Sequence, residues 1–229
     1  LIKSLEKADY ILISIPPVNG TDIVLKNFGK IFQSNKFKRV TYLSATSVYG
    51  NHNGEWVDEN SALNAKSQFD KIRIKSEKQW KTFCKKNNLN LNIVRISGIY
   101  GPQRIIKFNK KKLDVIIKKN HYFSRIHILD AARLISKIII ENFNNETWNL
   151  ADDFPSTREL FLLEAIEVKN IKNFARIEFE EYEATLSDRA KKFWHNNKRV
   201  SNSKVKKYFE YRFIFPNYKS GIKNLKEYL

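Results

Sequence analysis

Groups able to do chemistry cluster just past apolar runs in this chain. Thr46 and Ser47 follow Val40-Thr41-Tyr42-Leu43-Ser44, and Ser97 and Gly98 follow Ile93-Val94-Arg95-Ile96. Their hydroxyls could meet a substrate hydroxyl, or could simply close their own turns. Arg125 and His127 lie two apart, so strand alternation puts them on one face. A guanidinium in that place could take a phosphate through paired N–H···O bonds, or could make a structural ion pair. His127 reads as a buried structural histidine, and Asp130 as a cap or structural carboxylate. Arg104, just past Gly101-Pro102, would face whatever lies beyond the strands. Lys198, Arg199 and Asn202 either line the same cleft or fasten the tail. Asp152-Asp153, just before Pro155, reads as a solvated turn and not as a catalytic pair. No second histidine or carboxylate pattern supplies a metal site, so none is expected.

The elements that must position these groups follow from hydropathy. Ala8 to Ile15 is a β-branched apolar run stopped by Pro16-Pro17, which is a buried strand. Residues 21 to 35 carry apolar positions at helical spacing. A second strand spans Arg39 to Ser44 and a third Leu89 to Ile96. A long basic helix over 66 to 87 separates them, with Ile72, Trp80 and Phe83 as its inner face. Helical segments are expected at 104 to 118 and 129 to 142, a strand at Thr147 to Leu150, and a β-like stretch at 176 to 179. Strand, helix and strand in alternation define βαβ units and a parallel sheet. Ligands of such sheets sit beyond the carboxyl ends of the strands. Three places qualify: Ser14 to Pro17, Ser44 to Gly50, and Ser97 to Gly101.

Composition narrows the function classes. The 229 residues are 42% hydrophobic and 13% aromatic, which argues for a folded core. No run of about 18 apolar residues predicts a membrane span. The start, Leu1-Ile2-Lys3-Ser4-Leu5-Glu6, is too charged for a signal peptide, and a cytoplasmic setting is expected. A single cysteine excludes an intrachain disulfide; Cys84, after Trp80 and Phe83, reads as a partly buried thiol. The net charge is +18, but the lysines are scattered, and the densest cluster runs from Lys107 to Lys119. That pattern favours a basic mouth for a phosphorylated small molecule over nucleic acid. The sequence begins at Leu1 and holds no methionine, so residues upstream are expected.

Four segments carry a family likeness: Leu43-Ser44-Ala45-Thr46-Ser47-Val48-Tyr49-Gly50, Val94 to Pro102, Phe123 to Ala132, and Trp148 to Asp153. In this order and at these intervals they resemble the extended short-chain dehydrogenase/reductases, the NAD-dependent epimerase/dehydratase superfamily. The tail, Lys198 to Asn202 followed by Phe215 to Gly221, resembles an atypical nucleoside-diphosphate-sugar epimerase-like branch. The resemblance implies an α/β Rossmann-like parallel sheet with a smaller C-terminal substrate lobe. Residues 1–101 would form a partial NAD(P)-binding core. Residues 102–229 would form mainly the lobe, with a helix and strand at about 129–150 returning to the core. It also implies NAD or NADP as cofactor. Yet none of the seven glycines builds the phosphate-cradling turn, so the first strands, that turn and the ribose-reading acid should precede Leu1.

The same resemblance assigns residues. Ser14, Ile15, Pro16, Ser44, Arg73, Ser97 and Gly98 would border the cofactor. Tyr49, Tyr100, Arg104, Arg125 and Arg199 would border the substrate. Aligning the long helix through Glu77 puts Phe69 where the family has its proton-transferring tyrosine and Arg73 where it has lysine. Counting back from Tyr49 puts Ala45 at the hydroxyl position. Phenylalanine has no titratable proton and alanine no hydrogen-bonding side chain. Thr46, Tyr49 and Arg73 remain as candidate catalytic groups, with Tyr100 or water as alternatives. Two functions stay open: an NAD(P)-dependent epimerase, dehydratase or reductase with a non-standard site, or a catalytically inactive dinucleotide-binding sensor or assembly protein. The 66 to 87 helix is a possible homodimer face.

Overall fold

The computed structural model describes residues 2–5, 7–33, 37–102, 104, 113–141 and 145–224. After a short helix α1 (Ile2–Leu5), the core alternates β1 (Tyr10–Ile13), α2 (Ile23–Phe32), β2 (Arg39–Ala45), β3 (Trp56–Val57), α3 (Gln68–Lys86) and β4 (Leu91–Ile96). Short strands β5 (Gly98–Tyr100), β6 (Leu113–Ile117) and β7 (Arg125–His127) lead to α4 (Ile128–Ile140) and β8 (Thr147–Leu150). The remainder is α5 (Arg158–Val168), β9 (Phe174–Glu178), α6 (Phe179–Glu183), α7 (Asp188–Trp194), β10 (Arg199–Val200), α8 (Ser203–Phe209) and α9 (Tyr218–Asn224).

The main sheet is parallel, in the order β1-β2-β4-β8. Its two central strands are covered on both faces, as parallel strands with crossover helices must be. Alternate residues go to opposite sides. Val40, Tyr42, Leu91 and Ile93 pack with Val24 and Phe32 of α2 and Trp80 and Cys84 of α3. Val94, Ile96, Trp148 and Leu150 pack with Leu134 and Ile138 of α4 and Val205 of α8. The cap of α2 is tied to this core: Asp22 accepts the amide hydrogens of Val24 and Leu25 on one oxygen and the Trp80 indole N–H, at 2.8 Å, on the other.

Beyond the sheet, β6 and β9 pair in parallel and α5 and α9 pack beside them. Residues 113–117 are therefore strand, not the end of a helix; the rest of the expected 104 to 118 segment, apart from Arg104, lies outside the described residues. Val115 and Ile116 are β-branched and pair with Arg176 and Ile177 on a distant strand, which spacing alone does not reveal. The inner face of α3 also differs from the expected apolar stripe. Its first half buries Asp70, Ser76 and Glu77, and only its second half buries Trp80 and Cys84, while Ile72 is half-buried. The polar half faces a charged network under the sheet end. Among the described residues no helix is long and apolar enough to cross a membrane.

Candidate active site

A cavity of about 390 Å³ opens at the carboxyl ends of β2 and β4. Ala45, Thr46 and Ser47 form one wall, Ser97, Gly98 and Tyr100 the next, and Ser124, Arg125, Arg158 and Lys198 the far side. The chain converges there because Ala45 ends β2 in a tight 3-10 turn over Thr46–Tyr49, while β5 bends away after Ser97 to pair with β7. A Cβ at Gly98 would meet the Ser124 carbonyl at 3.4 Å, an ordinary contact, so the bend itself does not demand glycine. No aspartate or glutamate borders the cavity among the described residues, whereas Arg104, Arg125, Arg158 and Lys198 do. Its field therefore favours an anionic occupant.

The floor is held by a buried ionic network whose charged pair, Arg95 and Glu77, was not among the candidates. Arg95 and Glu77 pair at 2.8 Å with side chains 3% and 2% exposed. Glu77 also accepts the Ser44 hydroxyl. Arg95 donates to the Tyr49 oxygen at 3.0 Å, and Tyr49 donates to Asn149 at 2.8 Å. Both charged groups of this network are hydrogen-bonded, which is the condition for tolerating charge in a core.

This network corrects two expectations. Tyr49 is fully buried, its hydroxyl is engaged on both sides, and burial pushes its pKa up; it does not border the cavity. Ser44 points at Glu77 under the sheet and not into the cleft. Arg199 also turns away. Its guanidinium donates to the Gly54 carbonyl at 2.6 Å and lies against Trp56 and Tyr122, while its neighbours Lys198 and Val200 face the cavity. Ser14, Ile15 and Pro16 are exposed at the same end of the sheet but outside the cavity.

Other candidates do border it. Thr46 and Ser97 are nearly buried, and the Ser97 hydroxyl has no partner among the described residues. Tyr100 donates to the Asn217 carbonyl at 3.1 Å, and burial beside Asp152 and Asp130 pushes its pKa upward. Arg125 makes no ion pair among the described residues. It donates to the Phe123 and Ser156 carbonyls and to the Ser156 hydroxyl, and burial pushes its pKa down to about 10. Arg104 is exposed at the rim. Phe69 and Arg73 do not line the cavity: Phe69 is 55% exposed, with the Arg73 guanidinium 5.7 Å from its ring centre.

One further reading changes, and two others gain their partners. Asp152 is 2% exposed, not solvated; one oxygen accepts the Phe154 amide, and burial holds its carboxyl well above the usual range. Asp130 caps nothing: it accepts from the Tyr211 hydroxyl and the amides of Ile214 and Phe215, pinning the tail. The cap of α4 is His127, whose Nδ1 accepts the Leu129 amide at 3.2 Å, and which burial keeps toward its neutral form. Arg158, Tyr122 and Asn196 border the cavity but were not candidates. They come from segments whose local patterns carry no sign of a site.

A parallel sheet wrapped on both faces, with a cleft at its carboxyl ends, defines a Rossmann-type α/β class of protein. The sequence profile of the NAD dependent epimerase/dehydratase family matches residues 23–151. This chain belongs to that family. It is similar to a conserved protein of unknown function from Silicibacter pomeroyi DSS, with 33% identity and a TM-score of 0.87, over 95% of this chain and 76% of that one. UDP-glucuronic acid 4-epimerase from Bacillus cereus, solved with NAD, shares 17% identity at a TM-score of 0.75, over 99% of this chain and 76% of that one. dTDP-glucose 4,6-dehydratase from Bacillus anthracis str. Ames, also with NAD, shares 14% at 0.74, over 96% and 72%. No curated protein matches the sequence.

Proposed function

We propose that this chain is an NAD(P)-dependent epimerase/dehydratase-like oxidoreductase with a non-standard active site, acting on a nucleotide-sugar or another phosphorylated small molecule. The observation that carries this reading is the cavity itself, with hydroxyls at its sheet end and, among the described residues, four cations on its walls and no acid. The nicotinamide end of a dinucleotide fits the residues present. Ser97 borders the cavity with its Oγ buried and without a partner among the described residues; Arg73 Nε, outside that lining, is likewise buried without one. No glycine-rich turn in the sequence offers a cradle for the pyrophosphate. A dinucleotide held here would supply hydride chemistry. Thr46 and Ser97 would orient the substrate hydroxyl, Arg73 would hold the ribose, and Arg104, Arg125 and Arg158 would retain the phosphate. The same reading takes the protein as cytoplasmic, with residues 102–229 forming mainly a substrate lobe and α3 a homodimer face.

Phe69 and Ala45 favour a second reading, a dinucleotide-binding sensor or assembly protein without turnover. Thermal unfolding with NAD and with NADP tests both. A bound dinucleotide raises the melting temperature by mass action, by about 2.7 kcal/mol of stability at a hundredfold excess over Kd. No shift with either at millimolar concentration would overturn both readings. Turnover that appears only after Phe69→Tyr with Arg73→Lys would select the binder; turnover by the unaltered protein would select the enzyme.

A further inference from the structure

We propose that Lys198 is the proton-exchanging amine of this cleft, acting on a hydroxyl of an anionic ligand seated against Thr46 and Ser97. The proposal rests on reading the cavity as the substrate site.

The chain around Lys198 is built to present it. Asn197 is held on both sides: its side chain donates to the Asn120 carbonyl at 2.7 Å and accepts the Tyr122 amide at 2.9 Å, while its carbonyl accepts the amides of His52 and Gly54. Arg199 is clamped on Gly54. Alternation along an extended segment then sends Lys198 and Val200 to the cavity and Arg199 to the opposite face. Lys198 is only 9% exposed and borders the cavity. Holding an ammonium largely out of water is costly, so such a group either meets a ligand or gives up its proton.

The rival proton carriers are weaker. Phe69 has no proton to give, and Tyr49 lies outside the cavity with its hydroxyl engaged. Tyr100 is committed to Asn217 and pushed upward by burial. The arginines keep their charge at any working pH. Tyr122 remains as the alternative among the described residues of the wall. The charged and titratable groups facing Lys198 are Asp70 at the start of α3, His121 before β7, Tyr122, and the arginines 104, 125 and 158 that share the cavity. Asp70 favours the ammonium, but burial outweighs it and brings the amine down to about 8. The group therefore exchanges protons close to neutrality, where general bases work best. In the step, the ligand O–H bond breaks and the oxygen keeps its electron pair. The lone pair of neutral Nζ forms the new N–H bond, and the nearby guanidiniums stabilise the resulting oxyanion. The reverse transfer returns the proton.

Competitive labelling of the whole protein with a small acylating reagent, from mildly acid to strongly alkaline pH, reads the amine directly. The Lys198 peptide is expected to label with a midpoint near 8, not at the ordinary lysine value of about 10.4. Asp70→Asn, which keeps an acceptor for the Ser67 hydroxyl, should lower that midpoint further by removing the carboxylate. An ordinary midpoint, no labelling at any pH, or a midpoint indifferent to Asp70→Asn would overturn the proposal. Lys198→Met should keep whatever stabilisation NAD or NADP confers on the unaltered protein. Loss of dinucleotide stabilisation in both proteins would sink the cofactor reading and leave the Lys198 titration standing. If the unaltered protein turns over a nucleotide-sugar, Lys198→Met should remove the limb near pH 8 and lower kcat at least about a hundredfold. A limb that survives Lys198→Met and vanishes in Tyr122→Phe would hand the role to Tyr122.

Discussion

Glu77 and Arg95 show how a single pair can set the geometry of a site without touching it. The carboxylate accepts from Ser44 on β2 and from Arg95 on β4, so it locks the two strand ends that open into the cavity. Glu77→Gln leaves the Arg95 charge buried beside Tyr49 with no counter-ion. Breaking a buried pair from one side usually costs about 3–5 kcal/mol, because the remaining charge stays desolvated. Urea unfolding should show a loss of that size. The paired replacement Glu77→Leu with Arg95→Met should cost far less, since no lone charge remains. Cys84 stands at the other extreme. It is 1% exposed and its thiol is pushed up to about 12, so it packs as an apolar group and should resist thiol reagents in the folded protein.

At the scale of elements, α9 depends on one close approach. Gly221 sits on the ring and hydroxyl of Tyr100, in space that a Cβ would need. That contact brings the tail helix against the cavity wall, beside Phe161 and Tyr218. Gly221→Ala favours the helix intrinsically by up to about 1 kcal/mol. Overpacking against a fully enclosed ring costs about 1–3 kcal/mol, so the net change should be destabilising. Denaturant titration would detect it as a lower midpoint. The long helix α3 illustrates a different division of labour. Its second half anchors the core through Trp80, and its first half serves the ionic floor, so its apolar periodicity is weak although the helix itself is long and well capped by Ser67.

Across the whole molecule, the net charge of +18 shapes any self-association. Lys71, Lys75, Lys78 and Lys85 form one exposed stripe along α3. Two copies joined through that helix would bring like charges together, and salt within a Debye length of about 10 Å at 0.1 M would screen them. Sedimentation should therefore show the dimer fraction rising with salt. A fraction that falls as salt is added would place the interface elsewhere. The exposed positions of β1, Tyr10 and Leu12, alternate with the buried Ile11 and Ile13, so this outer strand has one covered face and one open face.

Local pattern was enough for much of this protein. Apolar, β-branched runs marked the strands of the main sheet, alternation with helices marked them as parallel, and the residues past β2 and β4 marked one side of the cleft. These are short-range signals, set by backbone stereochemistry and by the need to bury apolar faces. That Phe69 carries no titratable proton and Ala45 no hydroxyl is a fact of residue type; their place in a reacting site belongs to the proposed function. What the sequence could not decide was which polar groups meet. Tyr49, Ser44 and Arg199 carried suitable chemistry but turn into the floor or onto neighbouring loops, while Lys198, Arg158 and Tyr122 arrive from distant segments to complete the wall. Asp152 looked like a hydrated turn until β7 and the tail closed over it. Burial, and with it protonation and partnership, is a property of packing between remote segments, and only the tertiary structure fixes that.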